Sequence, residues 1–88
     1  MSEQVPVRVI LYGKPDCHLC HEAEAVLRRL QDELGLQIEN VSIEGRPELE
    51  AEYGTEIPVV FVEGAKLFKY RIDERRLRRS VEALRSRL

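Results

Sequence analysis

Val7-Arg8-Val9-Ile10-Leu11-Tyr12-Gly13-Lys14-Pro15-Asp16-Cys17-His18-Leu19-Cys20 is an apolar run that breaks at Gly13-Lys14-Pro15 and restarts, on two thiols, with a different period. Val7, Val9, Ile10 and Leu11 are near-continuously apolar and rich in β-branched side chains, the pattern of a strand buried on both faces. From His18 onward Leu19, Ala23, Val26, Leu27, Leu30 and Leu34 fall on one helical stripe, with Glu22, Glu24, Arg28, Arg29, Asp32 and Glu33 elsewhere. Gly35 ends that helix. Cys17 and Cys20 are the only cysteines. Two thiols three residues apart at a helix N-terminus can close a small ring, which is the usual equipment of reversible thiol chemistry.

The periods continue to alternate beyond Gly35. Leu36 to Ile43 reads as a second strand, parallel to the first because a helix crosses between them. Gly45-Arg46-Pro47 opens a short helix to Tyr53, closed by Gly54. Pro58 to Val62 and Lys66 to Tyr70 form a hairpin about Glu63-Gly64. Asp73 is a good N-cap for a last helix that shows Leu77, Val81, Leu84 and Leu88 on one face. The order is β-α-β-α-β-β-α, with no repeat.

Eighty-eight residues make one domain, 1–88, with room for a single core. Fourteen basic against 16 acidic side chains leave a charge of −2, which gives no reason to expect nucleic acid or an anionic membrane as partner. No apolar run nears the roughly 20 residues of a bilayer span, and Met1-Ser2-Glu3-Gln4 lacks the features of a signal peptide. A cytoplasmic monomer is expected. Structural disulfides are rare in that compartment, and so short a loop gains little from cross-linking, so the cysteine pair reads as catalytic, redox-sensing or metal-binding rather than as a staple.

Lys14-Pro15-Asp16-Cys17-His18-Leu19-Cys20, the Ile57-Pro58 step before a strand, and the element order together resemble the glutaredoxin-like proteins of the thioredoxin fold. The resemblance runs from Val7 to about Leu84. It implies an α/β, thioredoxin-like fold with a four-stranded mixed sheet flanked by helices. It implies a thiol-disulfide oxidoreductase that contributes to electron transport and redox homeostasis, with Cys17 and Cys20 as the catalytic pair. It also implies that the Ile57-Pro58 bond is cis and that Ile57 and Pro58, with Lys14, bind substrate. The chain departs from the family in two places. His18-Leu19 stands where Pro-Tyr is common, and Leu67 to Asp73 lacks the Gly-Gly that approaches a glutathione carboxylate. Arg71, Arg75 or Arg76 is a candidate to bind a carboxylate there instead.

The residue types suit the chemistry without the resemblance. A free thiol has a pKa of about 8.5, and a helix N-terminus or a nearby cation lowers it. Cys17 is placed for both, with Lys14 on the approach loop, while Cys20, one turn deeper, is suited to resolve a mixed disulfide. His21, four residues after Cys17, is a candidate to tune the thiol; His18 reads as a partner of Glu22. Asp16 reads as a capping or turn residue, and Tyr12 and Tyr53 as packing residues. Cys17 to His21 matches a haem-attachment pattern and half of a zinc site, but lacks a second ligand or a second, separated pair. No metal or organic cofactor is required; glutathione is a candidate reductant or co-substrate. The expected partners are a disulfide-containing protein or glutathione mixed disulfide and a thiol reductant or reductase. Residues 71–88 hold seven arginines against three acids, read as a solvated helical face or, more sharply, a docking patch for an acidic protein. The rival function is a redox-sensing or adaptor module that binds through that helix without turnover.

Overall fold

The computed structural model describes residues 5–87; Met1 to Gln4 and Leu88, the last expected on the apolar face of the final helix, lie outside them. The elements are β1 (Val7–Gly13), α1 (His18–Leu34), β2 (Leu36–Ser42), α2 (Pro47–Tyr53), β3 (Val59–Val62), β4 (Ala65–Lys69) and α3 (Glu74–Ser86). The four strands make one mixed sheet in the order β2-β1-β3-β4. β1 pairs parallel with β2, from Val7 opposite Leu36 to Gly13 opposite Ser42, and antiparallel with β3. This is the α/β order read from the sequence.

Alternation along β1 assigns the two faces of the sheet. Val7, Val9 and Leu11 are buried with Val60, Val62 and Phe68 under Ala23, Leu27 and Leu30 of α1 and Leu77 and Val81 of α3. Two helices therefore cover one face. On the other, Tyr12 and Phe61 meet Tyr53 of α2: the Tyr12 and Tyr53 rings stack at 4.7 Å between centroids, and Phe61 presents an edge to each. Partial burial, followed by the neighbouring Tyr12, pushes the Tyr53 phenol pKa up, which keeps it neutral. Both tyrosines are packing residues.

Several boundaries differ by a residue from the sequence reading, each for a local reason. β2 stops at Ser42, although Ile43 is fully buried and its N–H donates to Gly13 O at 2.9 Å. β3 starts at Val59 because Pro58 has no N–H for the ladder. β4 stops at Lys69 because Tyr70 turns to a left-handed φ of 70° and sends its N–H to Pro58 O at 2.9 Å. Glu63 and Gly64 both have positive φ, as a two-residue hairpin turn of the right twist requires.

Arg71, Arg75, Arg76, Arg79 and Arg87 are exposed, as a solvated face requires, but two other C-terminal arginines need a correction. Arg78 is only partly solvated: it hydrogen-bonds Glu33 on α1 and, at 3.2 Å, Glu74. Arg85 donates to Leu34 O at 2.6 Å, a carbonyl that the end of α1 leaves without a helical partner, and to Val5 O, ahead of β1, at 3.1 Å.

Candidate active site

Cys17 is itself the N-cap of α1, with extended backbone, and its Sγ accepts the Cys20 N–H at 3.1 Å. Asp16 is therefore not the helix cap; it sits in the tight turn closed by the Cys17 N–H donating to Lys14 O at 3.2 Å. Cys17 and Cys20 are joined as a disulfide with Cα atoms 5.2 Å apart. Cys17 is half-buried, whereas Cys20 is 5% exposed. One sulfur is thus open to attack and the other is held behind it. In the dithiol form a Cys17 thiolate would keep the Cys20 N–H and the positive end of α1, both of which favour the charged sulfur.

The strand fixes the depth of Cys20. A Cβ added at Gly13, the buried last residue of β1, would lie 2.8 Å from Cys20 Sγ and 3.0 Å from its Cβ. The sequence reading treated Gly13 only as the break after the strand. A glycine at a strand end, seven residues before a thiol, is the available signal of close backbone approach.

The loop before Cys17 is held at both ends. His21 is exposed, and its Nε2–H donates to Pro15 O at 2.6 Å. A carbonyl only accepts, so the proton is on Nε2 and the ring is committed to the loop. His18 pairs with Glu22 at 2.9 Å, as its position four residues earlier implied. Lys14 is a third exposed, and its Nζ lies 4.0 Å from Glu50 on α2, a partner the sequence did not indicate.

Ile57 and Pro58 immediately precede β3. Tyr12, next to the last residue of β1, pairs in the antiparallel register with Val59, the first residue of β3, so Pro58 enters the sheet at the end of β1 from which the chain runs on to the thiols. The Ile57-Pro58 bond is cis, and Pro58 is buried. Where the family glycine pair is missing, Tyr70 keeps a positive φ and exposes 44% of its surface, while Arg71 lies 3.7 Å from Glu22. Leu19, Glu22, Tyr70, Arg71 and Ile72 line a small cavity of about 130 Å³ between α1 and this connection. No three His, Cys, Asp or Glu side chains gather as a metal site among the described residues, nor is any helix there long and apolar enough to cross a membrane.

Residues 8–82 match the glutaredoxin-like domain family (DUF836). An uncharacterised protein of Mycobacterium tuberculosis is 30% identical over 79 residues, covering 84% of this chain and 81% of its own length. Among solved structures, the NMR structure of a Nitrosomonas europaea protein superposes with a TM-score of 0.77 at 34% identity, covering 91% of this chain and 98% of the other. An X-ray structure of an X. campestris protein does so at 0.69 and 34%, over 85% and 96%. Thioredoxin from Halobacterium salinarum, 20% identical over 90% of this chain and 74% of its own, has a TM-score of 0.62 and shares the fold. With its Cys17-Cys20 pair at the helix start, its cis Ile57-Pro58 bond and its matched length, the chain belongs to the glutaredoxin-like domain family, on the thioredoxin fold.

Proposed function

We propose that this protein is a thiol-disulfide oxidoreductase that reduces protein disulfides or glutathione mixed disulfides. The supporting observation is Cys17 as the cap of α1: the residue is half-buried, its sulfur accepts the Cys20 N–H, and it is bonded to the sulfur of the buried Cys20. The Cys17 thiolate attacks one sulfur of the substrate disulfide; that bond breaks, and the departing thiolate takes up a proton. Cys20 gives up its proton and attacks Cys17 Sγ, which releases the second substrate thiol and leaves the protein as the Cys17-Cys20 disulfide. Two electrons have then passed to the substrate, and an external thiol or reductase, glutathione among the candidates, returns them. Ile57 and Pro58, with Lys14, border the path of the incoming chain.

The test is to mix the reduced protein with a glutathionylated peptide at neutral pH and follow both by mass spectrometry. Rapid release of the peptide with formation of the Cys17-Cys20 disulfide is expected. Cys17→Ser should reduce exchange to the uncatalysed rate, and Cys20→Ser should trap the mixed disulfide. If neither substitution alters exchange, the assigned roles are wrong. Repeated turnover with an added reductant separates this reading from a sensor that changes state once.

A further inference from the structure

With Arg78 and Arg85 bonded inside the molecule, the outward cations regroup around a different place. Lys66 and Lys69 of β4, Arg71 in the connection and Arg76 in the first turn of α3 line one groove of about 450 Å³. Phe68 lies beneath, with the Arg76 guanidinium 5.6 Å above its ring. Asp73 is the one carboxylate in the lining, and it already accepts the Arg76 N–H at 3.2 Å. Glu56 neutralises part of the charge, 2.5 Å from Lys66 and 3.8 Å from Lys69. Arg75, exposed in the same turn of α3, adds a further cation.

The groove also runs along an open edge of the sheet. β4 is the edge of the sheet, so its outer backbone N–H and C=O groups are open to an extended chain. The molecule as a whole carries −2, which disfavours a long polyanion and leaves a short acidic polypeptide segment as the complementary ligand. Arg71 belongs both to this groove and to the cavity lined by Leu19, the residue that precedes Cys20 in the first turn of α1. A chain followed along β4 past Lys69 thereby comes to the wall of that cavity, beside the first turn of α1.

We propose that the groove between β4 and the start of α3 docks an extended acidic segment of the disulfide-bearing partner protein, so presenting that disulfide to Cys17. The proposal rests on the thiol-exchange reading and supplies its substrate class.

Two synthetic peptides test it, each with one cysteine capped by mercaptoethanol as a mixed disulfide, one flanked by four glutamates and the other by four glutamines. The readout is the ratio of their second-order rate constants with the reduced protein, which partial unfolding of a variant does not alter. A ratio of ~10 in favour of glutamate is expected at low ionic strength, falling toward one in ~1 M salt. Lys69→Glu with Arg76→Glu should bring it to one or below, whereas Arg87→Glu, at the far end of α3, should leave it in place. A wild-type ratio of one or less, or a ratio that the double substitution does not move, overturns the proposal. Should every disulfide react no faster than with a free thiol, the exchange reading fails by itself. Docking is then read from fluorescence anisotropy of a cysteine-free acidic peptide on the oxidised protein. Binding that the double substitution abolishes supports the groove; no binding, or tighter binding of an oligothymidylate of equal charge, overturns it.

Discussion

At Gly13 the backbone and the Cys20 sulfur share a space that a methyl group would fill. Gly13→Ala must displace β1 or Cys20, and overpacking of this kind costs about 1–3 kcal/mol, measurable by denaturant unfolding of the oxidised protein. The same displacement should slow ring closure, so that the mixed disulfide on Cys17 accumulates in single-turnover experiments. Lys14 and Glu50 make a second prediction at this scale. Their charges lie 4.0 Å apart and both are partly exposed, so the expected effect is small. Glu50→Gln should shift the pH dependence of Cys17 alkylation by iodoacetamide to lower pH, and Lys14→Met should shift it to higher pH. Cys17, Cys20 and the His18-Glu22 pair were legible because their relations span one helical turn. Gly13-Cys20 and Lys14-Glu50 join different elements, and no local period encodes them.

Between elements, α1 and α3 are tied by a network of four charged side chains. Arg78 hydrogen-bonds Glu33 and Glu74, and Arg29 bonds Glu74 at 2.7 Å. The Arg78 hydrogen bond holds the Glu33 carboxyl below its ordinary pKa; Arg29 first and then Arg78 do the same for Glu74. A carboxylate whose folded pKa is depressed stabilises the fold above its unfolded pKa of about 4.3, and that contribution is lost as pH falls through the folded value. Arg78→Met should therefore lower the urea midpoint at pH 7, and its gap to wild type should narrow below about pH 4. At the other end of α3, Arg85→Ala removes donors from Leu34 O and Val5 O. A loss of about 1.5–3 kcal/mol is expected by thermal or urea unfolding at neutral pH. The helices themselves were legible from their apolar stripes. The use of their arginines was not, because a side chain off the stripe faces solvent or a neighbouring helix according to how the helices are set side by side.

For the whole molecule, stability rests on one core beneath α1 and α3. Leu27 and Leu77, from different helices, are both fully buried in it. Leu77→Ala should cost about 2–5 kcal/mol, a large share of the ~5–15 kcal/mol that holds an ordinary domain together. A melt followed by circular dichroism would show a lowered midpoint, and a shift no larger than that of a surface substitution would mean that α3 packs differently. The opposite face carries α2 and its aromatic contacts, and β4 is an edge of the sheet. By itself the sequence determined the period switch at Gly13, the element order, the parallel crossover and the thiol pair at a helix start. Burial of an apolar face imposes a period on the chain, and that period can be read without coordinates. Only the tertiary structure decided that Gly13 abuts Cys20, that Arg85 closes α1, and that Lys66 and Lys69 join Arg71 and Arg76 around one groove. Polar and steric contacts of that kind depend on register and helix rotation, which are set by packing of the whole core and leave no repeating mark along the chain.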